Sequence, residues 1–259
     1  MSKTPQQIAL MAESGRLLAS VFGYLDRLDL LGMSTLQVND LVDNYIVDEL
    51  KARPASKGQY GFAYAMNTSR NEVVCHGVPS ADDILRDGDL VNFDITLEKN
   101  GYIADSSKTY LIGKVSDQAR QLAEVTYEAM CKGIEAVKPG ARLGDIGHAI
   151  ERHARAHRYS VVREYCGHGI GREMHEPPEV LHWGKAGTGL TLREGMTFTI
   201  EPMLNRGTAD VRTLRDGWTV VTRDGQLSAQ FEHTVAVTRE GVRVLTLRPE
   251  ELHLSRISA

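Results

Sequence analysis

Four carboxylates and one histidine occupy surroundings in this chain where a charged or imidazole side chain needs a partner. Asn100-Gly101 reads as a two-residue hairpin turn between strands at Leu90 to Leu97 and Tyr102 to Ile112. If Lys99 pairs with Tyr102, counting outward sets Thr96 opposite Asp105, and Asp94 shares the face of Thr96. Directly opposed Cβ atoms lie ~4.5–5.5 Å apart and diagonal ones ~7–8 Å, so two carboxylates placed this way repel unless a cation stands between them. A solvated acidic hairpin is the other reading of the same residues. Glu201, in Phe198-Thr199-Ile200-Glu201-Pro202, and Glu232, in Phe231-Glu232-His233-Thr234-Val235, sit inside apolar, β-branched strands. A buried acid there requires either a neutral hydrogen bond or a metal ion. His168 lies between Gly167 and Gly169 in a stretch running from Glu164 to Arg172, a tight loop suited to presenting an imidazole to a neighbouring group. A phosphate cradle is the rival, although no Gly-Lys-Ser/Thr ending follows.

The elements that must position these residues are marked by caps and periodicity. Thr4-Pro5-Gln6-Gln7 and Ser34-Thr35-Leu36-Gln37 are capping-box patterns, predicting a helix from about residue 5 to about residue 30 and a second one stopped by Pro54. Ser116 caps a third helix ended by Pro139-Gly140, and residues 143–157 form a fourth. Strands are expected at Met196 to Leu204, Val211 to Leu214, Trp218 to Thr222 and Phe231 to Val237. The order is helices, strands, helices, strands. Asp94 follows Gly88, and Glu201 follows Gly195, at the same offset of 6 residues, each after a charged turn. Such a match points to an internal duplication. With no Pro/Ser-rich linker between the halves, one pseudo-symmetric α+β domain over 1–259 is expected.

Composition removes several classes. Of 259 residues, 42% are hydrophobic and 25% charged, with 24 Gly and 8 Pro, which excludes disordered, collagenous and coiled-coil chains. Thirty Lys+Arg against 34 Asp+Glu give a net charge of -4, so no overall basic excess calls for nucleic acid or a membrane surface. Three cysteines suit a reducing compartment better than a disulfide framework. The N-terminus lacks a basic stretch followed by an uninterrupted apolar one, and no apolar run is seen to approach a ~20-residue span, so a cytoplasmic protein is expected.

Together with His76 in Cys75-His76-Gly77-Val78-Pro79 and His175 in Met174-His175-Glu176-Pro177-Pro178, the residues Asp94, Asp105, His168, Glu201 and Glu232 form a pattern that closely resembles the type I methionine aminopeptidases. The resemblance runs from the first helix to about Leu247 and includes Gly195 to Pro202 and Leu214 to Thr219. It implies the pita-bread fold, two αβ halves related by a pseudo-twofold axis around a dinuclear metal site. It further implies that Asp94 holds one divalent ion, His168 and Glu201 the other, and Asp105 and Glu232 both. Oxygen-rich ligation with one imidazole suits Mn, Fe or Co without choosing among them. In that family a metal-bridging hydroxide attacks the first peptide bond; Glu201 would handle its proton, His175 would stabilise the carbonyl oxygen, and His76 would contact the scissile amide. Thr96 would orient the bound water, and Trp218, Met174 and Phe62 would line the methionine pocket.

The departure from the family lies upstream of His76. Asn67 stands where many bacterial relatives carry cysteine or threonine at the pocket rim, and Gln59-Tyr60-Gly61-Phe62 also diverges. The chain lacks the zinc-binding N-terminal extension of longer type I forms and the helical insertion of type II forms, so it resembles the short bacterial type. Cys75 and Cys166 are read as small hydrophobes, His182 and His233 as structural, and His148, His153 and His157 as a solvated helix face. The implied partners are nascent polypeptide N-termini, with ribosome association compatible and a monomer expected. No membrane contact and no specific nucleic-acid binding are expected. The resemblance also implies that methionine is removed when the second residue is small, a rule that Met1-Ser2-Lys3 itself meets unless the helix starting at Pro5 shields it. Proline-specific aminopeptidases share the fold but carry a further N-terminal domain, and binding modules on this fold have lost ligands that are all filled here.

Overall fold

The computed structural model describes residues 2–258, with side chains through Leu254; Met1, and with it the question of its removal, lies outside the described residues. Both capping boxes form. The Thr4 hydroxyl accepts from the Gln7 N–H and Ser34 from the Gln37 N–H, while each glutamine side chain reaches back to its cap. Helix α1 covers Pro5–Leu25, shorter than expected because the chain turns at Asp26, and α2 covers Thr35–Asn44 before a π-helical turn at Tyr45–Glu49. Helix α3 is Asp117–Glu135 and α4 is Leu143–Ala156.

The Leu90–Lys99 and Tyr102–Leu111 strands pair as counted, with Lys99 opposite Tyr102 and Thr96 opposite Asp105; Asn100 and Gly101 both take positive φ, as this turn demands. The hairpin lies in a nine-stranded antiparallel sheet. Tyr102–Leu111 pairs with Glu232–Val237, which pairs with Thr197–Ile200, then Gly167–Gly169 and Glu176–Val180 follow. Met66–Arg70 and Arg53–Pro54 pair with Leu90–Lys99 on the other side, and Val242–Val244 adds to Glu232–Val237. Several of these strands have only two to five residues, too short to show alternation in sequence.

The duplication is visible in the hydrogen bonds. Gly88 N–H donates to Ile112 O and Ile112 N–H to Asp89 O; in the second half Gly195 N–H donates to Val237 O and Val237 N–H to Met196 O. Gly88 and Gly195 both have positive φ, so the two strand pairs are pinned by the same turn chemistry. One apolar cluster seats α1 and α2 on the first pair through Leu18, Phe22, Val38, Val42, Phe93 and Ile95; another seats α3 and α4 on the second through Leu122, Met130, Ile146, Ile150, Phe198 and Val235.

Helix α1 corrects one expectation, being long and apolar enough to cross a membrane. Its stripe of Met11, Leu18, Val21, Phe22 and Leu25 is buried against this protein's own sheet. Gly15 comes so close to the Leu245 carbonyl that a Cβ would lie 2.1 Å from it, and Ser14 Oγ donates to Tyr102 O. These are the contacts of a core helix.

Candidate active site

Asp94 and Asp105 project from opposing strands of the hairpin, with Asp94 paired to Ser107 and Asp105 to Thr96. Glu232 sits opposite Ser107 on the next strand, where the Ser106 hydroxyl donates to its carbonyl. Glu201 follows the Thr197–Ile200 strand, and its Oε1 accepts from Thr199 Oγ1 at 2.7 Å while the same Oγ1 accepts from the His168 N–H. One threonine thus fixes both neighbours. His168 Nε2 stands 3.7 Å from Asp105 Oδ2 and 3.6 Å from Glu201 Oε1. Its Nδ1 lies 3.0 Å from Gly169 O, so the ring donates there and keeps its Nε2 lone pair for a cation. Donor atoms of Asp105, His168 and Glu232 all lie within 4.8 Å of one another.

Electrostatics fit a cation centre. Burial, with an opposing effect from the hydrogen bond shared with Asp105, pushes the Asp94 carboxyl up to about 7. Burial likewise raises Glu201 to about 8, partly offset by Thr199; burial also lifts Asp105, aided by the charges of Asp94 and Glu201, and Glu232, aided by those of Asp105, Glu201 and Asp94, well above the carboxylate range. Burial lowers His168 to about 4, so the ring is neutral. Asp105 Oδ1 is buried with no hydrogen-bond partner among the described residues, an acceptor whose need a divalent ion meets. Four carboxylates and a neutral imidazole with a fixed tautomer suit divalent metal in an oxygen-rich site.

The other expected residues surround this cluster in a cavity of about 590 Å³. His175 is exposed to its opening, ring to ring with His168 at 4.4 Å. His76 adopts φ 55°, a strained conformation for a non-glycine, and meets Tyr165 edge-on at 5.3 Å. Gly77 must lack a side chain there, because a Cβ would come within 2.0 Å of Thr68 O. Trp218, Met174 and Phe62 line one wall, with Phe62 edge-on to Trp218 at 5.1 Å. Thr96 lines the floor and its hydroxyl bonds Ser56 at 2.6 Å.

Asn67 lines the cavity too, directly across the strand pair from Asp94. Replacing it by Cys or Thr is expected to shift substrate or inhibitor affinity by no more than ~1–3 kcal/mol with metal content unchanged, since Asp94 keeps its own carboxylate in place. Binding constants paired with metal analysis check this, and lost metal would contradict it. Cys75 and Cys166 line the same wall, and burial raises both thiols, which leaves them protonated fillers.

Tyr60, in the divergent Gln59 to Phe62 segment, is at φ 48° and 73% exposed and stacks on His175 at 5.9 Å with its hydroxyl 3.4 Å from Nδ1. Several other wall residues were not singled out from sequence. Tyr165 and Gln230 carried no periodic or spacing signal; Thr199 did, two residues before Glu201 on one strand face. His182, read as structural, is fully buried and accepts from the Glu201 backbone N–H at 3.1 Å. Lys3 Nζ pairs with Glu176 Oε2 at 2.5 Å, tying the start of the chain to the His175 segment. A separate groove of about 640 Å³, lined by Arg16, Arg239 and Arg243, contains none of these groups.

An antiparallel sheet shared by two matching strand pairs, with acids and one imidazole at their junction, defines a metal-dependent hydrolase of the pita-bread type. Residues 9–239 match the model for metallopeptidase family M24, and the chain belongs to that family. Within it, the chain is 49% identical over 246 residues to methionine aminopeptidase B of Synechocystis sp., covering 93% of this chain and 90% of that one. It is 47% identical to the methionine aminopeptidase of Rickettsia prowazekii, with 96% of each covered. The crystal structure of the Rickettsia prowazekii enzyme superposes with a TM-score of 0.93 over 95% of this chain and 99% of that one. A prolidase from Pyrococcus horikoshii, 21% identical, shares the fold at a TM-score of 0.74.

Proposed function

We propose that this chain is a metalloaminopeptidase that removes the N-terminal methionine from nascent proteins whose second residue is small. The observation that carries the reading is the convergence of Asp94, Asp105, His168, Glu201 and Glu232 at the floor of a cavity with an apolar wall of Trp218, Phe62 and Met174. The close relatives, all named methionine aminopeptidases, support it. In this reading Asp94 would help hold one divalent ion and His168 and Glu201 a second, with Asp105 and Glu232 available to both, and Mn, Fe and Co would all suit the donor set. Such ions supply Lewis acidity and lower the pKa of water toward neutrality.

The chain's own groups do the rest. Glu201, at the cavity floor beside His168 and held by Thr199, is placed to take the proton released at the attacking water. His175, open to the cavity mouth and backed by Tyr60, donates to the carbonyl oxygen as negative charge builds on it. His76, held by its strained backbone, faces the scissile amide. Phe62, Met174 and Trp218 receive the thioether side chain. The full 1–259 chain is read as one cytoplasmic, monomeric catalytic unit; the basic groove of Arg16, Arg239 and Arg243 offers a face toward the ribosome.

Peptides test it. With metal supplied, Met-Ala and Met-Ser peptides are expected to release free methionine, and Met-Lys or Met-Leu peptides are not, as a narrow site for the second side chain requires. Mass spectrometry of the digests reads the result. Equal cleavage of Met-Lys and Met-Ala removes the narrow-site argument, and no cleavage of any Met-peptide removes the enzyme reading.

A further inference from the structure

Outside the cavity, three metal-competent side chains meet on the far pair of helices. His153 and His157 lie one turn apart at the end of α4, with ring centroids 4.6 Å apart. From α3, Glu128 reaches across so that its Oε2 is 2.9 Å from His153 Nε2. One donor atom from each of the three residues lies within 4.8 Å of the others. Helix-end capping and a lone ion pair explain two of these contacts, since His157 Nδ1 bonds the His153 carbonyl at 3.0 Å. They do not explain why the capping ring also stands within 4.8 Å of the carboxylate that its neighbour pairs with.

We propose that Glu128, His153 and His157 form a second, surface metal site, one that takes a single Zn²⁺ and staples α3 to α4. A His₂Glu donor set leaving one position for water is a coordination that zinc favours, with Zn–N near ~2.0–2.1 Å and Zn–O near ~2.0–2.2 Å. Closing the three donors onto one ion needs only side-chain rotation, because Glu128 and His157 are exposed. The backbones beneath are already fixed: a Cβ on Gly133 of α3 would lie 2.8 Å from the Ile150 side chain of α4, so the helices pack closely one turn further on. The hydrogen bond from His157 Nδ1 to a carbonyl leaves Nε2 as that ring's available donor, the arrangement that orients metal-bound imidazoles elsewhere. None of the three lines the catalytic cavity, so this site stands apart from the aminopeptidase reading.

Zinc uptake by the intact protein decides the matter. Equilibrium dialysis against zinc chloride with metal analysis should show the H153Q/H157N double variant binding one fewer zinc per chain than the wild type, whatever the cavity binds, as the cavity is the same in both. Zinc should raise the melting temperature of the wild type more than that of the double variant. Glu128→Gln, at an exposed position outside the cavity, should weaken this site about 10-fold while methionine release stays unchanged. Equal zinc stoichiometry in the wild type and the double variant, or undiminished affinity in Glu128→Gln, overturns the proposal.

Discussion

Removing divalent metal is expected to abolish methionine release and to lower the melting temperature, with the larger drop at pH 8 than at pH 6. The reason lies in Asp94 and Glu201, which burial pushes up to about 7 and about 8, and in Asp105 and Glu232, lifted further. In the unfolded chain these carboxyls ionise near ~4. Between about pH 4 and pH 8 the metal-free native state therefore holds more protons than the unfolded state, and its stability falls as pH rises through that window. His168, lowered to about 4, acts in the opposite direction, since its contribution is present above the unfolded value of ~6.5 and lost toward pH 4. His76, His175, His182 and His233, also lowered by burial, act the same way, but between pH 6 and pH 8 each regains only the part of its effect that lies near the unfolded value of ~6.5, so the four carboxylates decide the sign. Metal binds the deprotonated native cluster and stabilises it by mass action, more so at the higher pH. Melting curves of chelated and reloaded protein at the two pH values measure this. Full turnover after verified metal removal, or a chelated protein more stable at pH 8 than at pH 6, would sink the assignment.

The three cavity histidines are expected to separate by metal content. His168→Ala should lose metal, because Nε2 lies within 3.7 Å of carboxylate oxygens from both strand pairs and its Nδ1 is already committed to Gly169 O. His76→Ala and His175→Ala should keep metal and lose ~10-fold to ~1,000-fold in turnover, as when a transition-state donor is removed. The geometry supports the division: His175 sits at the mouth against Tyr60, and His76 packs against Tyr165. Elemental analysis alongside single-turnover rates settles it. A His175 variant as metal-poor as the His168 variant would show that the two rings exchange roles.

How much of this was legible in the sequence depended on whether the signal was local. The hairpin register could be counted residue by residue, because an Asn-Gly turn fixes which side chains face each other, and it placed Asp105 correctly. The two capping boxes and the equal spacing from Gly88 to Asp94 and from Gly195 to Glu201 were also local, and each is realised in the hydrogen bonding. The short strands at Arg53–Pro54, Ser160–Val161 and Gly167–Gly169 were not legible, since two or three residues carry no period and are held by neighbours distant in sequence. The same limit hid Tyr165, whose importance comes only from the histidine it touches. Helix α1 is misjudged in sequence, where no apolar run is seen to approach a membrane span; the helix is long and apolar enough for one, and its packing shows a core helix.

The middle of the sheet has a further consequence, for the chain while it is being made. Thr234 Oγ1 donates to Asp105 O across 129 residues of sequence, and the strand carrying Glu232 is the one that covers the Tyr102–Leu111 edge. At ~5–20 residues per second of synthesis, that edge waits roughly 6 to 26 s for its neighbour. An uncovered strand is a template for pairing with the wrong chain, and inward-facing charge is one of the few features that discourage it. Asp105 lies on that uncovered strand, on the same face as Asp94 of its companion. Their repulsion is expected to disfavour wrong pairing at this edge until the second half of the chain arrives.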